Sequence, residues 1–305
     1  YLFLNRFIDI LFATETLALG LNLPAKSIVI DSPYKYDGIK TRLITQSEFL
    51  QLTGRAGRRG IDTKGFAFIN YDKNIDIHWY DKLFTLKPST LSSSFAITYS
   101  SILNLTNKYE PNEAIELINK SFYSYQNNFD TKELENIFRS KLEVLNELNY
   151  SESDLKRKIL TETYRDSFIP GLEIIKEKNE IEFYLMFLCS GLSNSKYDFP
   201  IHEKHNHLYT KFMIAQEQLN KLESYKGIKT RTTIEVSWFS IFNEYLTTQN
   251  LEYVLNKFNL NIGDFIRTAK EASELSLKMY NIFNIDEFKQ INKLFNNKLI
   301  QKTML

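Results

Sequence analysis

The stretch QLTGRAGRRG, Gln51 to Gly60, sets three arginines among three glycines in a chain of 305 residues that has ten glycines in all. A guanidinium is a planar fork of donors that stays charged and fits a phosphate or a carboxylate through two parallel hydrogen bonds. Gly54, Gly57 and Gly60 strip side chains from the positions around Arg55 and Arg58, so a backbone or a polyphosphate can come close while the guanidinium groups reach past it. Thr45 and Glu48 form a T-x-x-E capping box that predicts a helix starting near Gln46. On that helix Gln51 and Arg55, four apart, share a face, and Arg58 follows one turn later. A glutamine and two arginines on one edge make a site for a phosphate chain. The same spacing also suits an arginine-rich helix end that caps its own carbonyls or pairs with its surroundings.

Upstream, FATETLALGLNLPAKSIVI puts Thr14, Glu15 and Thr16 at the C-terminal end of an expected strand and the start of a helix. Ligands of open α/β sheets bind at that edge, where a helix N-terminus offers free N–H groups to phosphate. Thr14 is there to grip a nucleic-acid phosphate. Gly20 and Asn22 lie in a tight stretch closed by Pro24, where a backbone turn can face a nucleotide.

The elements that must hold these residues alternate in the manner of a parallel α/β sheet. IDILFAT, SIVIDS and GFAFINY have the short apolar runs of strands; ETLALGLN and TQSEFLQLTGRAGRR have helical patterns. These are too few strands to close a sheet, and an unpaired edge of apolar strands is an aggregation risk. From Leu91 to Leu305 the apolar residues recur at helical spacing, which predicts a mostly α-helical remainder. Residues 131–160 are expected to form a helix, a loop near NYSES and a second helix, and 193–206 a loop.

Composition bounds the rest. Lys plus Arg number 38 against 37 for Asp plus Glu, so a polyanion site must be a local cluster and not a global field. The single cysteine, Cys189, excludes an intrachain disulfide and a thiolate metal cage, which fits a reducing compartment and makes the cytoplasm the default. No apolar run reaches the ~18 residues of a membrane span. Arg6 and Asp9 interrupt the opening apolar stretch, unlike a signal peptide, and the chain is expected to begin inside a domain.

Together the two segments resemble motifs V and VI of superfamily 2 helicases, and in wording they are similar to the superkiller-type DExH-box RNA helicases. The Q-x-x-G-R-x-x-R pattern is present as Gln51, Gly54, Arg55 and Arg58; A-T-E-T-x-A-x-G-x-N-x-P-A runs from Ala13 to Ala25; and Tyr36 to Gly38 stands where the family has its K-F-D-G turn. STLSSSFAITYSSILNLTNKY is similar to the stretch that opens the family's winged-helix domain. INKSFYSYQ is similar to its S-F-x-Q-x-Q, with Ser124 in place of a Gln and Tyr125 in place of one usual aromatic. VSWFSIF and NIGDFIRTAKEASEL resemble the C-terminal helical domain, with Ile241 where the family has glycine. The resemblance implies α/β followed by all-α: the end of a second RecA-like lobe (1–75), a winged-helix module (76–160) and a helical, ratchet-bearing domain (161–305).

The family's functional residues then fall as follows. Arg55 and Arg58 act as arginine fingers on the γ-phosphate of ATP held by another lobe, and Gln51 supports that geometry. Gly20, Asn22 and Gly54 lie toward the nucleotide, and Thr14 holds an RNA phosphate. Arg267 and Lys270 ride on the ratchet helix along single-stranded RNA, with Asp264 as its expected N-cap. The implied cofactors are ATP and Mg²⁺, bound mainly by the missing first RecA-like lobe; the implied partners are RNA and RNA-degradation machinery. No G-x-x-x-x-G-K-S/T and no D-E-x-H occurs, so this chain alone is expected not to hydrolyse ATP. The stretch between the winged-helix part and the helical domain is too short for the arch of some eukaryotic members. A non-catalytic RNA-binding or scaffold module, and a DNA helicase of the related repair branch, stand as alternatives.

The remaining candidates have plainer readings. His202, His205 and His207 are expected to be surface histidines in a loop and not a metal site, and His78 is expected to pack beside Trp79. Ser92, Ser93 and Ser94 lack a nucleophile elbow and are expected to cap a helix. Cys189 is expected to be a buried, unreactive thiol and Trp238 to belong to a core.

Overall fold

The computed structural model describes the chain except for residues 1, 4, 6, 16–24, 37–40, 86–90, 128–130, 151–152, 176–179, 194–196, 198, 230 and 297–305. Its contacts divide it into two units, Tyr1–Leu91 and Ser92–Leu305.

In the first unit β1 (Ser27–Ile30) pairs in parallel with β4 (Phe66–Ile69), Ser27 opposite Phe66 and Ile30 opposite Ile69. The chain between them forms a hairpin, β2 (Tyr34–Tyr36) with β3 (Thr41–Leu43), and then helix α1 (Gln46–Thr53). Helix α2 (Ile77–Thr85) follows β4. Ile30, Ile44, Phe49 and Leu83 form the core, with Ile28, Leu52, Ile69 and Trp79 packed against it. Phe49 meets Phe84 edge to face, with centroids 5.1 Å apart.

The expected strand at IDILFAT does not form. Residues 8–14 have no ladder partner, and Ile10 and Phe12 are 74% and 94% exposed. An apolar run supplies the side chains of a buried strand, but the strand itself exists only through pairing with a neighbour. The helix expected over ETLALGLN lies outside the described residues beyond Glu15.

Helix α1 starts where the capping box predicts. Thr45 Oγ1 accepts from the Glu48 N–H, and Glu48 Oε2 accepts from the Thr45 N–H at 2.7 Å. Glu48 has further work. It takes two hydrogen bonds from Arg42 of β3, each 2.9 Å, and one from Lys35 of β2 at 2.8 Å, while Lys35 also pairs with Glu15. One carboxylate therefore joins the hairpin to the helix start and, through Lys35, to the residue after Thr14. Arg42 foremost holds the Glu48 carboxyl well below the usual carboxylate range, against the opposing effect of burial.

The second unit is helical, with no strand among its described residues. Two helices match the expected pair in 131–160, Lys132–Glu147 and Asp154–Thr163. A single core runs from Ile97 to Phe295, to which both residues 92–160 and residues 161–305 contribute. Its aromatic residues interlock: Trp238, 1% exposed, packs against Tyr197, Phe242 and Phe265 at 5.2–6.4 Å between centroids. Ile241, in the glycine's place, is fully buried.

Several local expectations change. The helix Tyr99–Thr106 is capped by Thr98, whose side chain bonds the Ser101 N–H, while Ser92–Ser94 remain in irregular chain. Helix α3 (Ile262–Phe283) is capped by Asn261 and not Asp264, because Asn261 Oδ1 takes the Gly263 N–H at 2.7 Å. His205 is buried edge-on against Phe239, leaving His202 and His207 exposed. His78 is exposed, its side chain 78% accessible, while Trp79 does the packing. Cys189 is buried, and burial pushes its thiol up.

Two measurements test these contacts. Glu48→Gln should lower the stability of the first unit by about 1–2 kcal/mol, read as faster hydrogen exchange over residues 46–53. The folded-state pKa of Glu48 is depressed, so its contribution is present above the ordinary carboxylate range and disappears as pH falls through about 4 and below. The variant should lose that part of the acid dependence. Gly171→Ala places a Cβ 2.4 Å from the Phe187 ring and 3.1 Å from that of Phe212. It should destabilise the second unit by about 1–3 kcal/mol in chemical denaturation.

Candidate functional site

The sequence predicts a helix that runs on to the arginines, but α1 ends at Thr53 with Gly54 as its C-cap. The chain then tightens, the Arg55 N–H bonding the Leu52 carbonyl and the Ala56 N–H the Thr53 carbonyl. The cause lies in the sheet. The Ala25 N–H donates to the Arg55 carbonyl at 3.1 Å and the Gly57 N–H to the Ala25 carbonyl at 2.7 Å, a parallel bridge between Ala25 and Ala56. In a continuing helix the Gly57 N–H would serve Thr53 and the Arg55 carbonyl would serve residue 59. The sheet uses both, and the helix stops. Gln51 is thus exposed on the last helical turn, and Arg55 and Arg58 sit beyond it, half-buried, in a loop.

The glycines serve that loop's own backbone. Gly57 and Gly60 have φ of +90° and +76°, which L side chains rarely adopt. Gly65 passes so close that a Cβ there would lie 2.5 Å from the Ala56 carbonyl. Gly54 is exposed, but a Cβ on it would stand 2.9 Å from the Leu50 carbonyl oxygen.

Arg58 is engaged within its own loop. Asp62 Oδ2 accepts from Arg58 Nε at 2.7 Å and from the Arg58 backbone N–H at 2.9 Å, and Oδ1 accepts from Nη2 at 2.8 Å. The Arg58 guanidinium holds the Asp62 carboxyl well below its usual range and is itself raised in return. Among the described residues Nη1 has no hydrogen-bond partner.

The arginine loop flanks the amino end of β1 and β4, where the Phe66 N–H bonds the Lys26 carbonyl. The carboxyl rim expected for a ligand is a different place: a 390 Å³ cleft between residues 31–34 and 70–73. It carries Asp31 and Asp72 against Lys73, a poor setting for a polyphosphate, and none of the described candidate residues lines it. Thr14 is exposed, tied toward α1 through the neighbouring Glu15–Lys35–Glu48 chain. Gly20 and Asn22 lie outside the described residues.

In the second unit, Phe265, Ala269 and Ala272 are buried and Lys270 is exposed, as the helical periodicity predicts; Ser273 is buried and Glu274 exposed. Arg267 is 57% exposed and lies 3.6 Å from Asp264. Glu271 on the same helix pairs with Arg165 at 2.7 Å.

Sequence reasoning missed Asp62, Lys35 and Arg42. Arg58 and Asp62 are opposite charges four apart, a signal that was available. The hairpin carrying Lys35 and Arg42 was also announced, by the Asp37–Gly38 dipeptide between β-favouring residues.

Residues 3–60 match the family described as the helicase conserved C-terminal domain. The chain is 42% identical over 122 residues to the antiviral helicase SKI2 of Saccharomyces cerevisiae, a match covering 40% of this chain and 9% of that protein. It is 38% identical over 125 residues to the exosome RNA helicase MTR4 of Homo sapiens, covering 41% of this chain and 12% of that protein. It is 40% identical over 125 residues to the probable helicase HelY of Mycobacterium tuberculosis, covering 41% and 14%. The chain therefore matches only a small part of the length of these relatives. By these matches, and by an α/β segment followed by helices, the chain is similar to the C-terminal portion of superkiller-type superfamily 2 helicases.

Proposed function

We propose that this chain is part of an ATP-dependent RNA helicase that couples ATP hydrolysis to movement along single-stranded RNA. The observation that carries the reading is the end of α1 and the loop after it, where Gln51 on the last helical turn is followed by Arg55 and Arg58 and Arg58 keeps the Nη1 side of its guanidinium without a partner among the described residues. Such a group stabilises charge on a transferring phosphoryl group, and fingers of this kind contribute ~10³–10⁵ in rate. Bound ATP supplies the scissile γ-phosphoryl group. Arg55 and Arg58 would contact its oxygens, Gln51 would orient them, and Gly54 would lie toward the nucleotide; Gly20 and Asn22, outside the described residues, belong to the same proposal. The motifs that cradle the other phosphates and hold Mg²⁺ are not in this sequence, so those tasks fall to another RecA-like lobe.

Thr14 holds an RNA phosphate, and Arg267 and Lys270 follow the strand from α3. Two relatives named as helicases, one of them an exosome RNA helicase, support RNA as the nucleic acid and RNA-degradation machinery as a partner. No described helix is long and apolar enough to cross a membrane; the cytoplasm, a winged-helix role for 76–160 and a ratchet role for 161–305 belong to the same proposal.

A second reading, a non-catalytic RNA-binding module, is favoured by one observation: the Asp62 carboxylate already occupies Arg58. Arg58→Ala in the full-length protein separates the two. Under the helicase reading, RNA-stimulated ATP turnover falls at least a hundredfold while RNA affinity stays within about twofold; unchanged turnover favours the module. Removing the charges of Arg267 and Lys270 together should weaken single-stranded RNA binding regardless of sequence, and should lower the slope of log affinity against log salt by about 1–2. An unchanged slope removes these two residues from the RNA path.

A further inference from the structure

A free arginine side chain samples many rotamers, and fixing it as a phosphate approaches costs entropy at the moment of reaction. Arg58 has already met that cost. Its backbone N–H and its Nε both bond Asp62 Oδ2, at 2.9 and 2.7 Å, and its Nη2 bonds Oδ1 at 2.8 Å, so one carboxylate fixes the main chain and the side chain together. The loop is closed behind it by the Ile61 and Asp62 N–H groups, both bonded to the Arg58 carbonyl, and is seated on the sheet by the Gly57 N–H on Ala25. The Asp62 side chain is 8% exposed, while that of Arg58 is 29% exposed.

A guanidinium has five N–H groups. Asp62 takes the Nε–H and one Nη2–H; among the described residues both Nη1 protons and the second Nη2 proton remain, and one Nη1 proton with that Nη2 proton forms the second two-pronged edge of the fork. An anion can therefore bind Arg58 end-on without displacing the carboxylate.

We propose that Asp62 is a positioning residue for Arg58, holding the Nε/Nη2 edge so that the Nη1/Nη2 edge is preset for a phosphate oxygen pair. This rests on the arginine-finger reading above. It makes the internal ion pair a support for that role, whereas a competing carboxylate would have to leave before phosphate could bind.

The test compares Asp62→Ala, Asp62→Asn and Arg58→Ala with the double variant Arg58→Ala/Asp62→Ala, all in the full-length protein. Asp62→Ala should lower kcat for RNA-stimulated ATP hydrolysis at least tenfold with KM for ATP changed less than threefold. Asp62→Asn, which keeps an oxygen able to accept from both Nε and the backbone N–H, should recover a substantial part. In the Arg58→Ala background Asp62→Ala should cost nothing more. A second readout needs no nucleotide: in nitrogen-15 NMR of the nucleotide-free protein, the Arg58 Nε proton should exchange slowly in the parent and fast in Asp62→Ala, with Asn between.

Equal or higher turnover for Asp62→Ala overturns the proposal, as does an additive loss in the double variant or rapid Nε exchange in the parent. If Arg58→Ala keeps full turnover while the parent Nε proton is still protected, the finger reading has failed, and Asp62 is left as a clamp on an arginine without that role. Should Asp62→Ala, but not Asp62→Asn, lose hydrogen-exchange protection over residues 46–53, the kinetic comparison rests on the Asn variant, whose turnover must then fall.

Discussion

Two hydrogen bonds between Ala25 and the chain on either side of Ala56 decide where the arginines are. A peptide group has one N–H, and a carbonyl bent into a sheet is not aligned for a helix. Once Gly57 donates to Ala25 and Arg55 accepts from it, the helix carrying Gln51 has no partners with which to continue. The loop that results needs left-handed backbone at Gly57 and Gly60, close passage at Gly65, and a carboxylate four residues beyond Arg58. The same bridge fixes the loop at the amino end of β1 and β4, away from the rim where an open α/β sheet usually receives ligands.

The parts legible in the sequence were those set by local chemistry. Thr45 and Glu48 announced the helix start because a capping box needs only its own four residues. Val29, Ile30, Phe66 and Phe68 announced strands because a short run of β-branched and aromatic residues suits a pleated surface. Phe265, Ala269 and Ala272 declared an inward face through their spacing. What stayed hidden depended on distant partners. The end of α1 is decided by Ala25, the missing strand at residues 8–14 by the want of a ladder neighbour, and the role of Glu48 by two cations on a hairpin. The chemistry of the candidate site was legible in its residue types; its geometry was not, because glycines placed to admit a ligand and glycines placed to turn a backbone look alike in one dimension.

In the helical unit, rigidity is built from polar contacts as well as aromatic packing. The Tyr99 hydroxyl donates to the fully buried Glu223, which also accepts from the Thr232 N–H and hydroxyl. Asp166 caps Tyr99–Thr106 by accepting from the Tyr99 and Ser100 N–H groups at 2.7 and 2.9 Å. Burial and the Glu223 carboxylate push the Tyr99 hydroxyl upward, so it remains a donor. Helix α3 is held at two successive points along one face of its first half, by Tyr197 on Asp264 at 2.6 Å and by Arg165 on Glu271. Arg267 and Lys270 therefore stand on a helix whose position is set before anything binds to it.

The chain's two tryptophans fall one to each unit: Trp79, on α2, borders the small core, and Trp238 is sealed inside the large one. An indole's emission follows the polarity around it, so the sheet-bearing part and the helical part each carry one native optical label, with no dye attached.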